Sequence, residues 1–421
     1  MDYNYDVVKI KNLGSIITGR TPKTEIAEFW DGDIKFITPK DIQTNKYVNK
    51  TERYITKKGA KSVATAIIPP NSIAVSCIGV IGYTGFVKEF AVTNQQINSI
   101  IPNKDYDAHY VYYLMKNSWN LFKMMENQST TVSILNKTSF GNLEIKVVKN
   151  KNIQRKIANI LASLDEKIEL NNKMNKILED IALSLYREWF INFEFPDEEG
   201  LSYKSNGGKM MNSELGEIPY GWQVKSISDI TNYNKRGFSP VYTENDEPSG
   251  IPVINQRCIR NHTIIEEAVR YNDPYKKGVP VDKIHQSWDV LINSMGVGTL
   301  GRVAISSIMH PKIVHSVITI LRPNQSIISK AIFSYAMLNL EDVFIQMGEG
   351  STGQTSLSNT YLGQLKIVVP PVKIQEKLEP VLRSIQETID QNYLENNKLI
   401  QIRDLLLPKL MNGEIKVPIE E

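Results

Sequence analysis

The longest regular pattern in the chain is an alternation of apolar positions, four and three residues apart, between Ile153 and Phe190. This spacing is typical of the contact seam of an α-helix that packs along a second helix. The seam consists of Ile157, Leu161, Leu164, Ile168, Asn171, Asn175, Leu178, Ala182, Leu185 and Trp189. We therefore predict a helix over 153–190, which at a rise of about 1.5 Å per residue would be about 57 Å long.

The same seam returns 221 positions later and predicts a second helix over 374–411. It consists of Leu378, Leu382, Ile385, Ile389, Asn392, Asn396, Leu399, Arg403, Leu406 and Leu410. If the two helices pack antiparallel about their midpoints, Asn171 and Asn175 face Asn392 and Asn396. A buried amide needs an amide partner, so these matched polar layers would penalise a shifted register. The alternative is that the asparagines lie at the solvated edges of two unrelated helices.

The seam asparagines also predict an effect of substitution. A buried asparagine costs stability in a helix seam. We therefore expect leucine at Asn171 and Asn392 to raise helix stability while loosening the spacing of the domains.

The repeat extends into the regions that precede the helices. The stretch 129–148 aligns without a gap onto 351–370, and 33–37 returns at 250–254. The chain is therefore interpreted as a tandem duplication in which each copy is a domain followed by a long helix. The predicted segments are a first domain (1–150), a helix (151–191), a linker (192–220), a second domain (221–372) and a second helix (373–412).

Short β-branched stretches bounded by Gly, Pro or Asn predict strands within each domain. They are 72–77, 85–92, 253–259, 290–294, 302–305 and 317–321. Helices are predicted over 108–125 and 330–344. The expected fold is α+β, with two duplicated α/β domains separated by two long antiparallel coiled-coil helices.

Two local features of the sequence predict a linker and an interruption of the second helix. The polar and Gly-rich composition of 192–220 indicates a linker that buries little. Pro408, inside the last turns of the second helix, should end or kink it.

Composition narrows the class of protein. With 421 residues, 41% of them hydrophobic, the chain suggests two or three globular domains. Two lone cysteines, no apolar run long enough for a membrane and no signal-peptide pattern predict a cytoplasmic protein without membrane contact. The domains carry the positive charge, +6 over 1–150 and +3 over 200–373, whereas 151–199 and 374–421 carry −3 each. Basic domains suit a polyanion, and the acidic helices suit protein partners.

The chain shows no recognisable active-site motif. Gly296-Val-Gly-Thr-Leu-Gly301 matches a dinucleotide fingerprint literally, but a strand pattern follows it, so we interpret it as a strand-loop-strand turn. The Glu-Ile-Lys triplets at 144–146 and 414–416 lack the preceding aspartate of a nuclease metal site. The five histidines have no metal-ligand spacing. We therefore expect no catalytic or metal-binding residues in this chain.

Polar and basic residues do cluster at the predicted loop edges of both domains. Arg can pair with guanine edges, Asn and Gln with adenine, while Lys and hydroxyl groups contact phosphates. The candidate DNA-binding residues are Arg20, Lys23, Lys40, Lys57, Lys58, Tyr83, Asn94, Gln95, Lys235, Arg236, Gln256, Arg257, Arg260, Asn293, Thr299, His315 and Gln354. A solvated loop is the alternative interpretation of each one taken singly.

Four stretches together resemble the specificity subunit of type I restriction-modification systems. They are Gly-Asp-Ile-Lys-Phe-Ile-Thr-Pro-Lys-Asp-Ile (32–42), Ile-Gln-Arg-Lys-Ile-Ala (153–158), Ser-Glu-Leu-Gly-Glu-Ile-Pro-Tyr-Gly-Trp (213–222) and Leu-Leu-Leu-Pro-Lys-Leu-Met-Asn-Gly-Glu-Ile (405–415). The resemblance covers essentially the whole chain.

The resemblance implies two target recognition domains that each specify half of a split double-stranded DNA sequence, held apart by two antiparallel helices. It also implies partners: two modification subunits, which bind S-adenosylmethionine and methylate adenine, and two restriction subunits, which use ATP and Mg²⁺. No cofactor is expected on this chain.

Two other classes of function stay open from the residues alone. The chain could be a self-contained methyltransferase-nuclease, against which the missing motifs argue. It could also be a standalone sequence-specific DNA-binding regulator, against which the acidic helices argue.

Overall fold

The computed structural model describes residues 4–43, 46–126, 134–244, 248–306, 311–348 and 356–418. The chain forms two compact units. The first consists of residues 1–171 and 394–421, and the second of residues 172–393. In the described residues, no helix combines the length and apolar character needed to span a membrane.

In its described residues, the first unit contains three β-sheets and four short α-helices, followed by the start of a long helix. Its strands are β1 (Tyr5–Lys9), β2 (Gly14–Thr18), β3 (Trp30–Ile37), β4 (Arg53–Ile55), β5 (Ile67–Ile68), β6 (Ser72–Ser76), β7 (Thr84–Val87), β8 (Ala91–Thr93), β9 (Ile97–Pro102) and β10 (Glu144–Val148). Its helices are α1 (Lys57–Ser62), α2 (Ala108–Asn117), α3 (Trp119–Glu126), α4 (Lys137–Asn142) and α5 (Lys151–Phe190), which continues into the second unit.

One antiparallel sheet of the first unit has the order β2-β9-β6-β7. A second has the order β4-β3-β8-β5, in which β3 and β8 run parallel. Strands β1 and β10 form a separate antiparallel pair. Helix α2 begins where the Asp107 side chain accepts a hydrogen bond from the Tyr110 amide, and it buries Tyr110, Tyr112 and Tyr113 in the core.

The second unit repeats this plan after a short hairpin. Its strands are β11 (Met210–Ser213), β12 (Gly216–Pro219), β13 (Gln223–Ser226), β14 (Thr231–Arg236), β15 (Ile251–Ile254), β16 (Ile259–Arg260), β17 (Thr263–Ile264), β18 (Arg270–Asn272), β19 (Val290–Asn293), β20 (Val303–Ile305), β21 (Ile313–Val314), β22 (Ile318–Pro323) and β23 (Lys366–Val369). Its helices are α6 (Lys330–Asn339), α7 (Glu341–Gly348), α8 (Asn359–Gln364) and α9 (Val372–Asn412), which ends in the first unit.

The strand orders confirm the duplication. The sheet β14-β22-β19-β20 corresponds to β2-β9-β6-β7, and β18-β15-β21 corresponds to β4-β3-β8. The parallel pair recurs as well, because β15 runs parallel to β21 as β3 does to β8. The glycine-rich stretch 296–301 lies in the turn between β19 and β20, as predicted, with Gly296, Gly298 and Gly301 all at positive φ.

Several predicted elements are divided in the structure. The predicted helix over 108–125 breaks at Ser118, whose hydroxyl donates to the Leu114 carbonyl, so that α2 and α3 are separate. The predicted helix over 330–344 likewise breaks at Leu340. The predicted strand 85–92 is two strands, β7 and β8, and 253–259 contains the ends of β15 and β16. The hydrophobic pattern identified these elements but not the residues that interrupt them.

The segment 192–220 is folded and buries more than its composition suggested. Phe193 and Phe195 are 8% and 3% exposed, and the Phe195 ring stacks on Trp222 at a centroid distance of 5.0 Å. The expectation that this segment buries little is therefore wrong. Its few aromatic residues lie among polar ones, so the average composition concealed them. The predicted boundaries of the linker and the domains stay predictions.

Helix α9 does not end at Pro408 but continues to Asn412. The proline removes one backbone donor, at a typical cost of about 3 kcal/mol. Packing compensates, because Leu407, Leu410 and Met411 are at most 6% exposed in the core of the first unit. Of the two predicted effects of Pro408, ending the helix is wrong, and a kink stays a prediction.

Helices α5 and α9 pack together, and the seam asparagines meet in two pairs. In the first unit, the Asn171 amide donates to Asn396 Oδ1 at 2.9 Å and to Glu395 Oε2 at 2.8 Å. In the second unit, the Asn392 amide donates to Asn175 Oδ1 at 2.8 Å. This is the antiparallel pairing that the seam pattern predicts. That the pairs fix the helix register stays a prediction.

Candidate nucleic-acid interface

A polar groove in the first unit lies among the loops that follow β3, β6 and β8. It has a volume of about 500 Å³. Its lining residues are Thr38, Pro39, Lys40, Gln43, Glu52, Ile78, Gly79, Val80, Tyr83, Asn94 and Gln96. Three of the predicted DNA-binding residues, Lys40, Tyr83 and Asn94, thus share one surface.

Side-chain amides give this groove its chemistry. Asn94 is only 8% exposed, and its side chain donates to Gln96 Oε1 at 2.8 Å and accepts from the Gln96 backbone at 3.1 Å. The Gln43 amide donates to the Tyr83 hydroxyl at 3.3 Å. Asn94 therefore shapes the loop, while Gln43 and Gln96 present amides to the groove. The candidate set omitted Gln43 because it follows a helical turn and lies in no strand pattern.

Gly82 allows Tyr83 to take its place in this groove. Gly82 has a φ of +100°, and a Cβ atom there would lie 2.8 Å from the Trp119 ring. The Tyr83 ring stacks on Trp119 at 5.9 Å with an interplanar angle of 21°. A residue with a side chain would be strained and would also displace this pair.

Other candidates of the first unit lie on loops near this groove or apart from it. Gln95 is exposed and accepts a hydrogen bond from Thr21 at 2.6 Å, which joins its loop to that of Arg20 and Lys23, both exposed. Lys57 and Lys58 are exposed on α1 and do not line the groove. Lys58 forms an ion pair with Glu28, which raises the pKa of Lys58.

A second polar groove lies in the second unit between β14 and the start of α8. It has a volume of about 530 Å³. Its lining residues are Asn234, Lys235, Arg236, Lys283, Ser356, Ser358, Asn359 and Thr360. Lys235 is exposed, Arg236 donates to the Leu357 carbonyl at 3.0 Å, and Lys283 donates to the Tyr233 hydroxyl at 2.9 Å. Cations and hydroxyl groups in one groove suit phosphate oxygens.

The remaining candidates of the second unit separate into buried and exposed residues. Asn293 is fully buried and donates to the Gln256 carbonyl at 3.0 Å, so it holds the loop in place and does not form surface. Thr299 donates to the Gly296 carbonyl within the same turn. Arg257 and Arg260 are exposed on the adjoining loop and strand. Gln354 lies outside the described residues.

His315 is half-buried against Tyr242, with ring centroids 6.3 Å apart. Its Nδ1 accepts a hydrogen bond from the Val317 amide at 3.2 Å. Burial, aided by the charge of Arg270, lowers the pKa of His315. The imidazole is therefore neutral at physiological pH and offers hydrogen bonds without a charge.

A second histidine, which the candidate set omitted, joins the domain of the second unit to α5. His262 Nδ1 lies 2.6 Å from Glu179 Oε1 on α5, and Nε2 lies 3.4 Å from Glu341 Oε1. Burial alone would lower the pKa of His262, but the two carboxylates outweigh it and raise the pKa to about 9. Asn261 and His262 both have positive φ, a strained conformation that these ion pairs help to compensate.

This ion pair predicts a pH dependence of stability. The pKa of His262 is higher in the folded protein than in the unfolded chain, so its stabilisation is complete below pH 6.5 and is lost as the pH rises through 9. The loss is expected to be about 3 kcal/mol. His262→Asn, which tolerates positive φ but cannot reach both carboxylates, should lack this fall. Denaturant midpoints of the two proteins from pH 6 to 10 test it, and parallel curves would contradict it.

Within the described residues, no group of three or more His, Cys, Asp or Glu side chains could hold a metal ion. The polar lining of the two grooves consists of side-chain amides, hydroxyl groups, cations and the carboxylate of Glu52, and the first groove also contains apolar residues. Such surfaces bind and orient a ligand.

Comparison with known proteins agrees with this chemistry. The family model of the type I restriction modification DNA specificity domain matches residues 3–180 and 219–403. The type I restriction enzyme MjaIX specificity subunit of Methanocaldococcus jannaschii is 31% identical over 429 aligned residues, which cover 98% of this chain and 94% of that protein. The HindI specificity subunit of Haemophilus influenzae is 24% identical, over 78% of this chain and 80% of its own length.

The fold is also similar to a solved structure. The crystal structure of the S subunit of a type I restriction-modification system from M. genitalium superposes with a TM-score of 0.58 at 19% identity. The superposition covers 100% of this chain and 97% of that one. Because the family model matches both halves and a specificity subunit is similar over nearly the full length, the chain belongs to the specificity subunits of type I restriction-modification systems. These are the non-catalytic subunits that recognise the DNA target.

Proposed function

We propose that each unit reads one half of a split double-stranded DNA target. The observation that carries this proposal is the repeated sheet order, β2-β9-β6-β7 and β14-β22-β19-β20, with a polar groove beside each copy. Two copies of one reader on a single chain suit a target in two parts. The target sequences of the halves are expected to differ, because the groove residues of the two copies differ.

The chemistry of the two grooves suggests how each half is read. In the first groove, the amides of Gln43 and Gln96 are suited to the N6 and N7 positions of adenine in the major groove. In the second, Lys235, Arg236 and Lys283 lie beside the hydroxyl groups of Ser358 and Thr360, which favours phosphate contacts. Phosphate contacts set affinity and orientation, and base contacts set sequence.

A salt titration tests the phosphate role of the second groove. Lys235→Ala should weaken DNA binding of the assembled complex about equally for all sequences and reduce the salt slope of log K by about 0.9, one released counterion. Lys204→Ala, an exposed lysine of the same unit outside the groove, is the matched control. An unchanged slope for Lys235→Ala would remove this lysine from the DNA contact.

We further propose that the helices bind the catalytic subunits. On α5 in the second unit, Met174, Ile177 and Ile181 are 42%, 59% and 45% exposed, and they recur at helical spacing on one face. An exposed apolar stripe of this kind is typical of a protein contact. We propose two modification subunits, which bind S-adenosylmethionine and methylate adenine, and two restriction subunits, which use ATP and Mg²⁺. The chain itself would carry no cofactor.

We propose a cytoplasmic location, where DNA and these cofactors are present. The two free, buried cysteines, Cys77 and Cys258, fit a reducing compartment. Co-purification of a methyltransferase subunit with the chain separates this proposal from a standalone regulator, which would purify without one.

A further inference from the structure

A buried hydrogen-bonded network in the first unit joins the recognition domain to both long helices. The Tyr113 hydroxyl, on α2, donates to Asp165 Oδ2 on α5 at 2.5 Å. The other oxygen of Asp165 accepts from Arg403 on α9 at 2.8 Å. Tyr113 and Asp165 are 0% and 6% exposed. A charge-assisted network this deep is costly to leave incomplete, so it favours one arrangement of its three elements.

Lys46 completes the network from the recognition domain. Its ammonium donates to the Tyr113 hydroxyl at 3.0 Å, and the residue is 7% exposed. Its Nζ also lies 4.9, 5.6 and 4.8 Å from the ring centroids of Tyr47, Tyr112 and Tyr113. Burial lowers the pKa of Lys46 to about 8, with Asp165 and Glu166 opposing the shift. The side chain therefore remains mostly charged at neutral pH and is attracted to the carboxylate beyond Tyr113.

Arg403 explains an anomaly of the helix seam. It occupies a position of the α9 seam where the repeat has mostly apolar residues. Burial alone would lower the pKa of Arg403, but Asp165 and Asp404 raise it. The guanidinium is 12% exposed and paired with both carboxylates. A charge is thus retained inside the seam at the level where the recognition domain contacts it.

In the second copy, the equivalent positions carry different side chains and form different interactions. Tyr335 and Gln386, 222 and 221 positions after Tyr113 and Asp165, form a neutral hydrogen bond of 3.1 Å. Lys46 and His262 lie in equivalent segments of the two copies. Tyr47, next to Lys46, forms a parallel β-bridge with Phe86 on β7, and His262 forms a parallel β-bridge with Ala304 on β20. In each copy, a cation from this segment is linked to a carboxylate of α5. Lys46 reaches Asp165 through the Tyr113 hydroxyl, and His262 contacts Glu179 directly.

We propose that Lys46, Tyr113, Asp165 and Arg403 are positioning residues that lock the first recognition domain in one orientation on α5 and α9, and so determine the spacer length at which its half-site is accepted. This inference rests on the proposed reading of a split target. The four residues contact the helices and each other, so they act through the orientation of the domain and not on DNA.

Tyr113→Phe is the most selective test. Phenylalanine keeps the buried ring and removes only the hydroxyl that links Lys46 to Asp165. In a host that expresses the chain with its methyltransferase subunit, long-read sequencing gives the methylated fraction at sites with the parental spacer and with spacers one base pair longer or shorter. We expect the ratio of parental to altered spacers to fall about tenfold, the usual effect of losing a hydrogen bond to a charged group, with both half-site sequences unchanged.

Two further variants separate positioning from general stability. Asp165→Asn keeps an acceptor for Tyr113 but loses the charge that holds Arg403, so it should also relax the spacer ratio. Tyr335→Phe removes the neutral hydrogen bond of the second copy and should change the ratio less than Tyr113→Phe does. Loss of folded protein alone would lower methylation at all spacers alike and leave the ratio unchanged.

The outcomes distinguish this inference from the proposed function. A parental chain that directs methylation to a split sequence, combined with an unchanged ratio in both Tyr113→Phe and Asp165→Asn, overturns the positioning role alone. A parental chain that directs methylation to no split sequence overturns the proposed function and this inference with it.

Discussion

Exchanging residues 1–150 for the corresponding domain of another type I specificity subunit changes one half of the methylated sequence and leaves the other half intact. The physical reason is that each unit has its own sheets and its own core, so the second groove does not depend on the first domain. The donor should retain a tyrosine at the place of Tyr113, since that residue joins the domain to the helices. Methylation motifs determined by long-read sequencing are the readout.

The reciprocal exchange of residues 221–372 is the matched control and should change only the other half. A change in both halves after either exchange would show that the units do not read independently. Loss of all methylation with a stable complex would indicate that the exchanged domain does not pack correctly on the helices at the Tyr113–Asp165 contact.

Asn171→Leu destabilises the first unit by about 1 to 3 kcal/mol, whereas the double variant Asn171→Leu/Asn396→Leu is close to neutral or stabilising. Asn171 and Asn396 are 1% and 4% exposed, and the Asn171 amide donates to Asn396 Oδ1, so a single leucine at position 171 removes the donor to a buried amide oxygen. Replacing both partners removes that penalty. Denaturant midpoints of the single and double variants measure the effect.

This prediction replaces the expectation from the sequence that leucine at Asn171 and Asn392 would raise helix stability. The two residues belong to different pairs, so that combination removes one hydrogen-bond partner from Asn396 and one from Asn175 at the same time. The Asn175–Asn392 pair is only half-buried, so its single variants should cost less than Asn171→Leu. Equal midpoints for Asn171→Leu and the parental chain would contradict the predicted stabilisation by the Asn171–Asn396 pair.

The helices, the duplication and the family were predictable because their signals are periodic and recur. A seam repeated at a spacing of 221 residues predicts two helices, and its asparagines predict their antiparallel pairing. The family match confirms the resemblance carried by the four stretches of sequence. The turn at 296–301 was also predictable, because a strand pattern follows its last glycine directly.

The grooves were only partly predictable because they are assembled from residues far apart in the chain. Lys283 meets Arg236 only after β14 and the turn at 281–283 come together, and no local pattern marks it. Asn94 and Asn293 were selected for their type, yet both are buried and hold loops in place. Arg403 appeared as a seam residue, but its partner Asp165 lies 238 positions earlier. Residue type and spacing cannot reveal such long-range pairs.

The burial of isolated aromatic residues and the continuation of a helix past a proline could not be predicted from the sequence either. Phe195 stacks on Trp222 because the chain returns there, and α9 passes Pro408 because Leu410 and Met411 fill a core. In both cases tertiary packing overrides a local preference.

The central claim is that this chain supplies the DNA sequence specificity of an adenine methyltransferase complex. Genome-wide adenine methylation, read by long-read sequencing in hosts with and without this chain but with the same methyltransferase subunit, tests it most directly. A two-part motif methylated only when the chain is present is the predicted result. The same methylated motifs in both hosts, with the complex assembled, would contradict the account.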